Sequence, residues 1–158
     1  MATIFLPNRS EAYQASAGKA VWLDEDTVVF TIPYRFLYQG YGLMMPIAAK
    51  ENAVFGTAFP SVGYALFDAA GQPVIPNEIS GVVLSSASVE RGNYVLPENV
   101  AGHFTLLVLA TVPSSVVDGA KITLKATTQP YTLLKNGEVI TSMLDERQLG
   151  TYQVTTAR

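Results

Sequence analysis

The chain has 158 residues, and 49 % of them are hydrophobic while only 15 % are charged. This length fits a single domain that can bury a sizeable core. The absence of cysteine excludes disulfides, thiolate metal ligands and cysteine nucleophiles. The formal net charge of −3 argues against the basic surface that nucleic-acid binding needs, so we expect no nucleic-acid partner.

The scarcity of charged residues predicts that parts of the chain are buried, either in the core or against other subunits. A soluble domain usually covers roughly 25–35 % of its surface with charged side chains. Two long stretches, 52–67 and 99–117, contain no Asp, Glu, Lys or Arg. Either both stretches are well buried, or other subunits cover part of the outer surface.

The first residues predict neither an export signal nor a membrane segment. They lack a basic region, and the apolar run Ile4, Phe5 and Leu6 stops at Pro7. No run in the chain approaches the ~18 apolar residues of a membrane helix. Because residues 1–20 have weak periodicity, we interpret them as an N-terminal arm whose Ile4, Phe5 and Leu6 dock on a neighbouring subunit rather than on their own core.

Alternation with a period of two dominates the rest of the sequence. It predicts a long strand over 27–38, in which Pro33 indicates an edge position or a bulge. A second strand, over 121–128, places Ile122 and Leu124 inward and its polar residues outward. The stretch 104–112 is apolar on both faces, which is typical of a central strand covered on both sides or of a strand whose outer face meets a partner.

Weaker strands are predicted over 62–68, 81–89, 94–96 and 151–156, with Gly and Pro turns between them. Asn136-Gly137 predicts a type I′ hairpin in which Lys135 faces Glu138. Helix is scarce, with one or two turns expected over 142–150 and another over 46–53. The sequence therefore predicts a single all-β domain over 1–158, an antiparallel β-sandwich of immunoglobulin-like or jelly-roll type with an N-terminal arm and little helix.

No motif in the chain carries a recognisable chemistry. The single histidine, His103, lacks the partners of a catalytic or metal site, and we interpret it as structural or surface-exposed. The acidic run 24–26 lacks the ligand spacing of a calcium loop and is interpreted as a solvated turn. We find no phosphate loop and no nucleophile elbow. The sequence therefore predicts a protein that is not an enzyme and takes no cofactor or metal.

Three tyrosines offer a possible ligand platform. Tyr34 and Tyr38 occupy alternate positions of the strand over 27–38, and Tyr41 follows shortly after. Sugar rings stack on exposed aromatic side chains of this kind. The competing interpretation is that the rings fill the core of the sandwich, where aromatic residues supply much of the buried area.

The stretches 64–74, 102–111 and 121–127 resemble the strand and turn pattern of immunoglobulin-like sandwiches in adhesins and in virion proteins of tailed phages. The profile of one compact β-domain with few charges is also similar to capsid decoration and cement proteins. The resemblance implies a structural virion protein that associates with itself and with other virion subunits. The alternative is a carbohydrate-binding or adhesin module, extracellular or at a cell surface, that binds a glycan through Tyr34, Tyr38 and Tyr41.

Overall fold

The computed structural model describes residues 3–6, 10–14, 18–38, 40–53, 60–144 and 153–158, and in these ranges the chain is all-β without a helix. Its strands are β1 (Thr3–Leu6), β2 (Ser10–Gln14), β3 (Lys19–Trp22), β4 (Thr27–Tyr38), β5 (Gly42–Pro46), β6 (Ala48–Glu51), β7 (Val62–Asp68), β8 (Glu78–Leu84), β9 (Ser88–Glu90), β10 (Asn93–Leu96), β11 (Gly102–Thr111), β12 (Lys121–Lys135), β13 (Glu138–Leu144) and β14 (Gln153–Ala157). The described residues contain no helix that could span a membrane.

The strands form one continuous path in the order β1-β2-β4-β11-β8-β6-β7-β12-β5-β10-β9. β3 joins this path beside β4, and both β13 and β14 join it beside β12. The described pairs are antiparallel except for β6 with β7. Side chains also link β3 to β14, since Trp22 Nε1 donates a hydrogen bond to Thr156 Oγ1 over 3.1 Å.

The 15-residue strand β12 belongs to two layers of strands. One layer contains β4, β11, β8, β6, β7 and β14, and the other contains β5, β10, β9 and β13. The first half of β12 pairs with β7 and β14, and its second half pairs with β5 and β13. The register with β7 shifts between Ala126 and Thr128, where the strand bulges. Bulges bend a strand and increase its twist, so this one lets β12 belong to both layers.

The two layers face each other across one hydrophobic core. The Phe36 ring of β4 lies 5.6 Å from the Tyr131 ring of β12, and the Phe104 ring of β11 lies 6.0 Å from the Tyr94 ring of β10. The predicted all-β fold with mainly antiparallel pairing is therefore confirmed. Alternation positions the core as expected, because each second residue of β4 from Val28 to Phe36 is buried.

The Asn136-Gly137 hairpin is also confirmed. Asn136 has a φ of 50° and Gly137 a φ of 79°, the positive values that a type I′ turn requires at both positions. Lys135 lies opposite Glu138 in the register of β12 and β13.

The predicted helical turns are wrong where the structure describes them. Residues 48–51 form β6, and residues 142–144 complete β13, while 145–150 lie outside the described residues. Ala49 shows the reason, because it is buried and pairs with both Val62 and Gly81. Pairing of this kind outweighs a weak local helix signal. The strand predicted over 81–89 is two strands, β8 and β9.

Two further expectations about β4 and its neighbours are corrected. β4 is not an edge strand, because β11 pairs along one side while β3 and β2 share the other. Pro33 lies in the interval between the stretches that pair with β3 and β2, where its missing N–H interrupts neither ladder. The N-terminal segment, expected to lack a strand pattern, forms β1 and β2, which pair with each other, and β2 also pairs with β4.

Candidate interaction surface

The side of β3, β4, β11 and β8 that faces away from the core is unusually apolar. Backbone register places three rows of outward residues side by side, two of them across all four strands and one across β4, β11 and β8. We call this surface the outer face, and its uncharged members are Val21, Val29, Thr31, Pro33, Ser80, Val82, Leu84, Thr105, Leu107 and Leu109.

Water reaches the outer face in spite of its composition. Val21 is 57 % exposed, Leu84 is 46 % exposed and Leu109 is 40 % exposed. The residues of these rows alternate with buried residues along the same strands and lie on the side away from the core. Core packing therefore does not explain why they are apolar. Several exposed aliphatic side chains on one uncharged surface are typical of a site for contact with another protein.

Among the described residues, the charges near the outer face lie at its borders, and one of them is Arg35, which follows the Pro33 row on β4. Lys19 continues the row of Thr31 and Leu107 on β3, and Glu78 begins β8 beside Thr111. Lys19 and Glu78 are both exposed. The interior of the face therefore offers a partner no charge to desolvate, which lowers the cost of burying it.

A shallow cleft of about 430 Å³ adjoins one end of the outer face. Pro33, Leu84 and Thr105 line its apolar side, and His103 lies at its rim. His103 is exposed and pairs in register with Arg35 of β4. Ser85 and Ser86 also line the cleft, which is continuous with the outer face through Pro33, Leu84 and Thr105.

The three tyrosines do not form a common platform. Tyr34 is a core residue, 2 % exposed, whose ring stacks on Phe104 at 5.5 Å. Burial raises the pKa of its hydroxyl above the ordinary value. Tyr38 and Tyr41 are brought together edge to face at 5.2 Å, and Lys135 Nζ lies 5.2 Å from the Tyr41 ring. A glycan surface would be reduced to these two partly buried rings.

The acidic loop before β4 is organised by its own backbone. Asp24 Oδ1 accepts hydrogen bonds from the N–H groups of Asp26 at 2.8 Å and Thr27 at 2.7 Å, and these bonds lower the pKa of the Asp24 carboxyl. Asp26 forms an ion pair with Arg158. Both carboxylates therefore have partners within the fold. Within the described ranges, no group of three or more histidines and carboxylates lies close enough to hold a metal.

A second open cleft, of about 490 Å³, lies at the other end of the molecule. Val74, Ile75 and Val117 line it, with Asp68 and Lys121 among its polar residues. Ser115 also lines this cleft.

Sequence reasoning identified only part of the outer face. It found the apolar outward side of 104–112, which includes Leu107 and Leu109, but it missed Val21, Val82 and Leu84. These join the surface only through strand order, which the sequence pattern does not reveal. Ile4, Phe5 and Leu6, the predicted docking residues, lie in or beside the pairing of β1 with β2, and their side chains are outside the described residues.

Comparisons with known proteins add little to this geometry. No protein-family model matches the chain, and no curated protein matches it. Among solved structures, a crystal structure of the yeast GGA1 GAE domain with P21 is similar over 90 % of this chain and 96 % of that chain, at 8 % sequence identity and a TM-score of 0.35. A likeness this weak carries no argument about function.

Proposed function

We propose that this protein is a non-enzymatic structural protein that works by packing its outer face against other subunits, including copies of itself. The observation that carries the proposal is the row Val21, Val29 and Leu109, which lies outward on three adjacent strands and remains accessible to water. A row of this kind stabilises the folded protein fully only when a partner covers it, because burial of apolar area is the main favourable contribution to association.

The setting that fits this proposal is a virion, in which the protein would serve as a capsid or decoration component of a phage or virus. A low charged fraction of 15 % suits a protein whose surface is shared with neighbours. A weak contact is sufficient in such a setting, because the same interface recurs at every position of a symmetric shell and its contributions add up. The partners would then be other virion subunits as well as the protein itself.

The experiment that tests the proposal compares Leu109→Arg with the wild type by analytical ultracentrifugation. We expect the wild type to associate as its concentration rises, and we expect Leu109→Arg to remain monomeric because the arginine would be buried without a partner. Val139→Arg is the matched control, since Val139 is 63 % exposed on β13, away from the outer face. This control should associate like the wild type.

Two results would overturn the proposal. A wild-type protein that stays monomeric up to millimolar concentration would show that the outer face does not drive self-association. Equal loss of association in Leu109→Arg and Val139→Arg would show that the effect belongs to added charge in general. Circular dichroism of each variant ensures that only folded protein is compared.

A further inference from the structure

We infer that the partner on the outer face is a second copy of this chain, placed face to face so that Lys19 of each copy lies opposite Glu78 of the other. This inference rests on the proposed function and specifies its geometry. It follows from where the two charged residues lie relative to the apolar rows.

Strand register fixes the positions of both charges. Lys19 pairs with Thr31, and Glu78 pairs with Thr111, which in turn pairs with Thr27. Lys19 therefore lies three strands and four residues away from Glu78. With strands about 4.8 Å apart and about 3.4 Å for each residue, the two charges are separated by roughly 20 Å along a diagonal of the outer face.

The other diagonal is apolar. Val82 lies at one of its ends, in the same row as Lys19, and Leu23 lies at the other end, beside Thr27. Leu23 is 61 % exposed. The part of the outer face between the row of Lys19 and the row of Glu78 thus has opposite charges at two corners and aliphatic side chains at the remaining two, and the row of Pro33 lies beyond it.

A two-fold axis in the plane of the interface can relate two such faces in four simple ways. An axis along the diagonal from Lys19 to Glu78 places like charges over one another, which is unfavourable. An axis parallel to the strands places Lys19 over Val82, and an axis perpendicular to them places Lys19 over Leu23. Both arrangements bury an ammonium group against an aliphatic side chain, which is costly. An axis along the apolar diagonal instead places each Lys19 over the partner's Glu78.

The diagonal axis also satisfies the apolar rows. It passes between Val29 and Leu109 and reaches Val82, so the apolar centre of one copy meets that of the other. The strands of the two copies then cross at close to a right angle, one of the two arrangements that packed sheets adopt. Two ion pairs at the rim fix the relative orientation of the copies, because complementary charge gives an interface its specificity.

Charge reversal tests this arrangement directly. We expect Lys19→Glu alone and Glu78→Lys alone each to weaken self-association by at least about fivefold, because each variant places like charges opposite one another. The double variant K19E/E78K restores opposite charges and should associate within about twofold of the wild type. An equimolar mixture of the two single variants should form mixed dimers more tightly than either variant associates alone.

The control is Lys121→Glu, which makes the same change of charge on β12, outside the outer face. Sedimentation equilibrium at low ionic strength is the measurement, since salt screens exposed ion pairs. Single reversals that associate like Lys121→Glu, or a double variant as weak as either single one, would overturn the inferred arrangement. If Leu109→Arg still abolished association in that case, the proposed function would stand and only the geometry would fail. A monomeric wild type would overturn both.

Discussion

The Tyr34 hydroxyl donates a hydrogen bond to Gln129 Oε1 over 3.1 Å in the middle of the core. Both side chains are 2 % exposed, and Gln129 Nε2 donates in turn to the Pro130 carbonyl over 3.0 Å. The bond joins β4 to β12 just beyond the bulge, where β12 passes between layers. Buried polar groups are kept when they are hydrogen-bonded, so this pair stabilises the register of the two strands.

The first prediction is that Tyr34 and Gln129 are energetically coupled. Tyr34→Phe leaves Gln129 Oε1 without this donor, and Gln129→Leu removes the acceptor, so each should lower the free energy of unfolding by about 1–3 kcal/mol. The double variant removes both partners together and should cost less than the sum of the single losses. Urea denaturation of the four proteins measures the coupling. Strictly additive losses would contradict it.

The second prediction concerns the β12–β13 turn. Gly137 has a φ of 79°, so Gly137→Val strains the backbone and should lower the free energy of unfolding by about 1–2 kcal/mol. Asn136→Gly is the matched control, because glycine adopts a positive φ without strain and the loss should be much smaller. Thermal melting distinguishes them, and a Gly137→Val variant that melts with the wild type would rule out the strained turn.

The sequence predicts those parts of the fold that depend on residues close together in the chain, and it does not predict those that depend on pairing between distant parts of the chain. Alternation identifies β4 and the first half of β12 correctly because one side of each strand is buried whatever its neighbours are. It does not identify β6, since Ala49 is buried only by pairing with Val62 and Gly81 from distant parts of the chain. Local patterns record burial, but they do not record which strand provides it.

The same limit applies to the candidate site. The apolar outward side of 104–112 is visible in the sequence, and it is the centre of the outer face. The sequence leaves two interpretations open for Tyr34, and its stacking on Phe104 and its hydrogen bond to Gln129 place it in the core. The corner positions of Lys19 and Glu78 depend on strand order, so no spacing in the sequence places them on one surface.

The third prediction is a loss of stability in alkali caused by Tyr64. Burial raises the pKa of its hydroxyl to about 12 from the ordinary value of 10.0, and the Glu51 carboxylate adds to the shift. Below pH 10 the group is neutral in both states, so its full contribution is present. As the pH rises towards 12, the unfolded chain loses the proton first and the folded state is progressively disfavoured.

Tyr64→Phe removes this group and should flatten the alkaline part of the stability curve. We expect the wild type to lose on the order of 1–2 kcal/mol more than Tyr64→Phe between pH 9 and 11.5. All other residues are the same in the two proteins, so the difference between the two curves isolates the tyrosine. Urea midpoints measured at half-unit steps provide the test, and parallel curves would contradict the prediction.

The last prediction is that Arg158 fastens two loops to the end of the sheet. Its guanidinium donates hydrogen bonds to the carbonyls of Pro113 and Val116 and forms an ion pair with Asp26. The backbone N–H of Arg158 donates a hydrogen bond to the Ala120 carbonyl over 3.0 Å. One side chain can make these two hydrogen bonds and the ion pair together only if it has several donors in a planar group. Arginine has such a group and lysine does not.

Arg158→Ala should therefore lower the free energy of unfolding by about 1–3 kcal/mol, mainly because two loop carbonyls lose a charged donor. Arg158→Lys keeps the charge near Asp26 but cannot reach both carbonyls, so most of the loss should remain. If the ion pair were the main contribution, lysine would restore the stability instead. Hydrogen exchange across 113–120 checks the mechanism, since this loop should exchange faster in both variants while exchange at Asn136 and Gly137 stays unchanged.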